Sequence, residues 1–330
     1  MESRKRDHID LAFNSQVSAA ENDKRFWYEP LLAEHPSMKP KPLSFLGREL
    51  QVPFWVSSMT GGTQLAGKIN TNLARACREF GMGMGLGSCR IIMEDDTHFN
   101  DFNMRPIIGP DLPLWANLGI AQLEELLDQG KTNLIVQLVQ RLQADGIIIH
   151  VNPMQEWLQP EGDRLRRPPL DSVKALLGKT SLQVIVKEVG QGMGPESLKQ
   201  LIQLPLAAIE FAAFGGTNFS RLELLRNSLM EKEVLGSLVT TGHSAEEMLI
   251  FVNSLIDAIP EVKCRQLIIS GGIKTYLDGY YLISKSKLPA VFGQASGMLK
   301  YARENYDELH AYVDALCRGY RMAESFLRVR

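Results

Sequence analysis

The feature that most constrains this chain is a rhythm. Eight short, β-rich and largely apolar runs recur along it, most of them followed by a stretch of helical period. The runs are Val52–Ser58, Met82–Ser88, Leu112–Gly119, Asp145–Val151, Leu182–Gly190, Leu206–Gly216, Cys264–Gly272 and Pro289–Ser296. Between them, Gln64–Phe80, AQLEELLDQG, ESLKQLIQL and TYLDGYYLISKS repeat apolar residues at the spacing of one helix face. Strands that are apolar throughout bury both faces, as parallel strands do when helices cover the sheet. Eight such units predict an α/β fold, a closed (β/α)8 TIM barrel formed as a single domain by residues 1–330. A doubly wound open sheet fits less well, because no strand–G-x-G-x-x-G–helix unit opens the chain.

Two segments exceed a minimal barrel. Residues 1–50 read as a polar, proline-containing N-terminal arm, and residues 217–262 extend the sixth strand–helix unit. Within that extension LGSLVTT is a candidate extra strand, ahead of the helix pattern SAEEMLIFVNSLIDAI. Composition narrows the function classes. A formal net charge of -2 offers no broad basic field for nucleic acid or an anionic membrane. No apolar run approaches the roughly 18 residues of a membrane span, and MESRKRDHID lacks the apolar core of a signal segment. Cys77, Cys89, Cys264 and Cys317 form no C-x-x-C pair, which argues for reduced thiols rather than zinc. A soluble, cytoplasmic protein is the expectation.

Polar and glycine residues collect just after the runs, where this barrel builds its active sites. SGGIK (Ser270–Lys274) follows the seventh strand and GQASG (Gly293–Gly297) the eighth. Glycines there let backbone N–H groups approach a phosphate, although plain turn glycines would look the same. Gly215–Thr217, after the sixth strand, adds a hydroxyl. A polar ring comprises SMTGG (Ser58–Gly62), Ser88 and Arg90, Asn117, and Lys187. A lysine inside the apolar run VIVKEV needs a negative partner, either a ligand or a structural carboxylate. In HVNPMQE (His150–Glu156), period two puts His150 and Asn152 on one face, and Pro153 ends the strand. Gln155 and Glu156 then fall on a loop, with Glu156 suited to be the single carboxylate of a phosphate-bound magnesium. RKRDH (Arg4–His8) reads either as a solvated basic tail or as an arm that folds over a diphosphate.

These residues together resemble the type II isopentenyl diphosphate isomerases, over essentially the whole chain. The resemblance rests on Arg4, Lys5 and His8, on SMTGG, GxGSxR (Gly85–Arg90), ANLG (Ala116–Gly119), HVNPxQE, VKEVGxG (Val186–Gly192), GGT and SGGI in order. It implies FMN seated on Ser58, Met59, Thr60, Ser88, Asn117 and Lys187, its phosphate on Thr217, Gly271, Gly272, Ile273, Lys274, Ala295 and Ser296. It implies substrate diphosphate contacts from Arg4, Lys5, His8, Ser88, Arg90, His150, Asn152 and Gln155, Mg2+ on Glu156, and a homo-oligomer, tetramer or octamer, with the arm near a neighbouring subunit. Cys89, Lys274 and LVTTG (Leu238–Gly242) depart from the usual family residues.

The implied reaction interconverts isopentenyl and dimethylallyl diphosphate by a 1,3-proton shift without net redox change. Protonating an unactivated alkene demands a strong local acid, an electron-rich face for the cation and exclusion of water. Reduced FMN is expected to supply these, with NADPH needed only as reductant. Gln155, His150 and Lys187 are the expected catalytic set. Gln155 orients or relays, and Lys187 favours the anionic reduced flavin. An FMN-dependent barrel oxidoreductase of the 2-hydroxy-acid oxidase type is the alternative. It shares the phosphate loops and the lysine, but SGGIK has no adjacent His-x-x-Arg and His243 lies in the extension. A non-catalytic flavin- or phosphate-binding protein would explain the glycine loops but not HVNPMQE together with RKRDH.

Overall fold

The computed structural model describes residues 2–37, 41–58 and 61–330. Eight parallel strands close into a barrel in chain order: β1 (Phe54–Val56), β2 (Gly83–Gly85), β3 (Leu114–Gly119), β4 (Gly146–His150), β5 (Val184–Lys187), β6 (Ala208–Glu210), β7 (Leu267–Ser270) and β8 (Ala290–Gln294). Each lies within one of the eight apolar runs. The helix Gln64–Phe80 follows β1, with Thr63 accepting from the Ala66 N–H at its start and Gly81 ending it at a φ of +69°. Its apolar face, including Ile69, Leu73 and Cys77, is buried against the barrel.

The barrel interior shows why these strands sit where they do. One inward residue from each of seven strands (Trp55, Trp115, Ile148, Ile185, Ala208, Ile268 and Val291) joins Phe45 and Leu50 in a separate apolar core. Two tryptophans fit only because glycines oppose them. A Cβ on Gly83 would stand 2.3 Å from the Trp55 ring, and one on Gly146 would stand 2.4 Å from the Trp115 ring.

Phe45 and Leu50 belong to the segment read as an arm. There the hairpin Leu43–Phe45/Arg48–Leu50 plugs the N-terminal floor of the barrel. Arg48 of this hairpin pairs with Asp145 at 2.5 Å, and Asp145 also holds the buried Arg105 at 2.9 Å. Phe26–Tyr28 forms an antiparallel ribbon with Leu327–Val329, tying the two chain ends together. Among the described residues of this segment, the helix Glu2–Leu11 is exposed.

Two local expectations are corrected. LGSLVTT is not a strand: Leu229–Leu235 is a helix and Leu238–Thr240 a 3-10 turn. The capping box of Ser228 and Glu231 starts that helix, and a closed barrel has no free edge for another strand. Gln155 and Glu156 lie on the short helix Pro153–Leu158 rather than on a loop. Pro153 suits the first helical position, where its missing N–H would be unpaired in any case. Among the described residues no helix is long and apolar enough to cross a membrane.

Because Phe45 seals the floor, Phe45→Ala should lower the unfolding free energy by about 3–5 kcal/mol. Urea unfolding followed by circular dichroism measures this, and a loss below 1 kcal/mol would show that the plug is dispensable.

Candidate active site

Period two carries each strand from the apolar layer to a polar one. Two residues beyond Trp55, Trp115, Ile148, Ile185, Ala208 and Ile268 stand Ser57, Asn117, His150, Lys187, Glu210 and Ser270. Their contacts confirm that they share the interior. His150 Nδ1 pairs with Asn117 Oδ1 at 2.7 Å, and Ser270 Oγ donates to Glu210 Oε1 at 3.2 Å. His150, Lys187 and Glu210 are neighbours in register across β4, β5 and β6.

Above this layer lie two cavities. The larger, about 350 Å³, is lined by Ser57, Ser58, Lys187, Gly215–Thr217, Ser270–Lys274 and Gly293–Gly297, among others. The glycine loops after β6, β7 and β8 therefore converge on one space. They press together closely: a Cβ on Gly271 would meet Ala213 O at 2.1 Å, and one on Gly216 would meet Gly272 N at 3.0 Å. The smaller cavity, about 140 Å³, is lined by Ser58, Gly87, Ser88, Asn117, His150, Gln155, Lys187, Val189 and Phe219. Ser58, Lys187, Val189 and Phe219 border both.

The buried hydroxyls of Ser57 and Ser58 line the larger cavity, and Ser58 Oγ makes no hydrogen bond within the described residues. Buried polar groups are rarely left so without a ligand to meet them. With the Lys187 ammonium and the glycine loops, they form a donor set suited to a phosphorylated, anionic ring system such as FMN. Lys187 is buried and donates to Glu188 O at 2.8 Å. The Glu188 carboxylate in turn accepts from the N–H groups of Gly190, Gln191 and Gly192 at 2.6–2.9 Å, which fixes the loop after β5.

The electrostatics follow from burial. Burial raises the Glu210 carboxyl above its usual range, and the Lys187 charge opposes that rise. Burial, aided by Lys187, pushes His150 down to about 3. His150 is half-buried as a residue, and its neutral form holds at physiological pH. With Asn117 Oδ1 facing Nδ1, the imidazole proton sits on Nδ1 and Nε2 keeps a lone pair. Burial pushes the Cys89 thiol up to about 12, so no thiolate is at hand.

All the described residues expected to hold the cofactor line one or other cavity; Met59 and Thr60 lie outside the described residues. Of the expected substrate contacts, Ser88, His150 and Gln155 line the smaller cavity. Asn152 is buried beside them, its Nδ2 donating to Gln155 Oε1 at 3.1 Å and to Glu156 Oε1 at 3.0 Å. Arg90 is turned outward to Asp163 and Glu94. Arg4, Lys5 and His8 are exposed on the N-terminal helix and make no hydrogen bond or ion pair among the described residues. No cluster of three metal-binding side chains occurs among the described residues, so Glu156 offers a single carboxylate.

Two acidic residues escaped the sequence reading. Glu210 carries the same signal as Lys187, a charge inside an apolar run. Glu223, buried on the helix Phe219–Arg226, accepts from Gln155 Nε2 at 3.4 Å and pairs with Arg226. No spacing in the sequence links Glu223 to Gln155. His243 lines neither cavity and instead packs edge-on against Phe251.

No family model matches the chain. The isopentenyl-diphosphate delta-isomerase of Rickettsia felis is 34% identical over 305 residues, covering 91% of this chain and 85% of that protein. That of Rickettsia peacockii is 33% identical over 338 residues, covering 96% and 94%. The chain belongs to the isopentenyl-diphosphate delta-isomerase family. Solved structures share the fold at low identity. A flavocytochrome b2 variant with benzoylformate superposes with a TM-score of 0.63 at 13% identity, covering 91% of this chain and 71% of that one. A mandelate oxidase variant with 2-hydroxy-phenylacetamide gives 0.60 at 13%, covering 91% and 81%. These support the barrel that the sequence rhythm and the family resemblance both implied.

Since His150 is held neutral in the substrate-free protein, its ring should there bind no proton as pH falls from 8 to 5. Nitrogen-15 NMR of the imidazole checks this; a titration midpoint near the ordinary value of about 6.5 would contradict it.

Proposed function

We propose that this isomerase interconverts isopentenyl and dimethylallyl diphosphate, with reduced FMN in the larger cavity and the substrate's carbon chain in the smaller. The observation that carries this reading is the shared wall of Ser58, Lys187, Val189 and Phe219. Across it, a flat ring held in one cavity faces a small molecule in the other. Reduced FMN supplies the proton-exchanging ring and the electron-rich face that an alkene–cation reaction needs, with NADPH serving only to reduce it beforehand.

The chain's own residues then have separable tasks. Thr217, Gly271–Lys274, Ala295 and Ser296 would hold the phosphate, Ser58 would hold the ring at the shared wall, and Ser88 and Asn117 would reach its edge from the smaller cavity. Lys187 places a buried positive charge where the reduced ring is negative, in a setting where that attraction is poorly screened. Gln155 cannot titrate. It is clamped between Asn152, which donates to its oxygen, and Glu223, which accepts from its nitrogen. That clamp orients the amide toward the reacting carbons and gives it a carboxylate for proton relay. Val189 and Phe219 exclude water from the cation.

Glu156 would hold Mg2+ on the diphosphate. Its two oxygens accept from Asn152 Nδ2 and the Asp163 N–H, and each keeps a lone pair for metal or metal-bound water. The diphosphate charge would draw a proton onto His150 Nε2 and turn it into a donor. We also propose a homo-oligomer, tetramer or octamer. Leu225, Leu229, Met230 and Val234 are exposed along one region of the extension, as at a subunit contact.

The test is an anaerobic assay with FMN, reductant and Mg2+, following dimethylallyl diphosphate by chromatography. Product should form in large excess over reductant consumed, and Gln155→Ala should lower kcat by about 100-fold or more. Full turnover in Gln155→Ala would remove Gln155 from the scheme. Stoichiometric consumption of reductant would favour an oxidoreductase instead.

A further inference from the structure

Asp163 follows the Pro153–Leu158 helix, and nothing in the reading above gives its side chain a task. Its Oδ2 accepts from Arg90 Nη1 at 3.2 Å and from Gln122 Nε2 at 2.9 Å. We propose that Asp163 competes with the substrate's diphosphate for Arg90, so that the anion binds by displacing this carboxylate. The inference rests on the reading that the diphosphate lies at Arg90 and Glu156.

Three observations place Asp163 there. First, its loop is fastened to the candidate magnesium ligand. The Asp163 N–H donates to Glu156 Oε2 at 2.8 Å, and Arg164 Nη1 donates to Glu156 O at 2.6 Å. A Cβ on Gly162 would stand 2.0 Å from Glu156 O, so the loop backbone packs directly on that residue. Second, Gln122 adjoins His150. A Cβ on Gly119 would meet Gln122 Oε1 at 2.2 Å and His150 Nε2 at 3.0 Å, so the two side chains flank one point. Third, Arg90 lines neither mouth cavity. It faces a charged surface depression with Glu124, Asp128, Asp163, Arg164 and Arg166.

A carboxylate presents two oxygens to a guanidinium much as a phosphate does, but with less charge. The Arg90 and Asp163 side chains are 48% and 47% exposed, so solvent screens their pairing and a stronger anion can displace it. Displacement frees Arg90 to turn inward, while the loop stays fastened through its backbone. Every anion that uses Arg90 is penalised by the same factor, set by the fraction of the protein in which Asp163 has released it.

The test uses inorganic pyrophosphate as the probe, measured by calorimetry on the full-length, FMN-loaded protein in magnesium-free buffer. The proteins are the natural chain, Asp163→Asn, Arg90→Ala and the double variant. Asp163→Asn should tighten pyrophosphate about fivefold, the equivalent of about 1 kcal/mol. Inorganic phosphate bound at Arg90 should gain by the same factor. Arg90→Ala should weaken binding and abolish the gain from Asp163→Asn, a non-additivity that a merely structural role would not produce. Asp163→Ala, which also keeps the backbone ties to Glu156, should behave like Asp163→Asn. If Arg90→Ala weakens binding but both Asp163 variants leave it unchanged or weaker, the competition is overturned. If Arg90→Ala has no effect, the placement of the diphosphate at Arg90 fails, and the inference with it.

Discussion

The site depends on a charge that the barrel cannot easily accommodate. Lys187 points inward from a strand whose preceding inward residue, Ile185, is packed in a dry core with two tryptophans. Its register neighbours are a neutralised histidine and a buried glutamate. A cation and an anion so placed are costly to desolvate unless they meet each other, backbone carbonyls or a ligand. Here the ammonium meets Glu188 O, faces the field of Glu210, and opens onto the shared wall of two cavities. The barrel below exists to hold that layer still.

That rigidity has identifiable sources. The apolar layer is filled by Trp55 and Trp115 against Gly83 and Gly146, and is closed beneath by Phe45 and Leu50. Above it, strand period alone turns the next inward positions polar. The glycine loops after β6 and β7 come together because glycines at 215, 216, 271 and 272 let backbone meet backbone, and the loop after β8 lines the same cavity. A single closed scaffold thus aims groups from six strands at one mouth.

Much of this was legible in the sequence. The apolar runs gave the strand count because both faces of each strand are buried, and Lys187 stood out because a charge in such a run needs a reason. Glu210 carried the same signal in LAAIEFAAF and was passed over. What could not be read were contacts between distant segments. Glu223 reaches Gln155 only because two helices pack together, and Asp163 reaches Arg90 only in a surface depression beside the mouth. The hairpin at 43–50 was hidden because its three-residue strands, LSF and REL, carry no apolar run and sit in a polar, proline-containing stretch. LGSLVTT misled because β-branched residues mark a strand only where an open sheet edge awaits it, and here Val239 packs with Leu158 and Leu224 instead.

The most direct measurement of the account is the midpoint potential of bound FMN in the natural protein and in Lys187→Met, taken anaerobically. If the inward lysine stabilises the negative ring, the natural protein holds FMN at a potential tens of millivolts above that of the variant. Equal potentials in the two proteins, or a higher one in Lys187→Met, would contradict the role given to that charge and the site built around it.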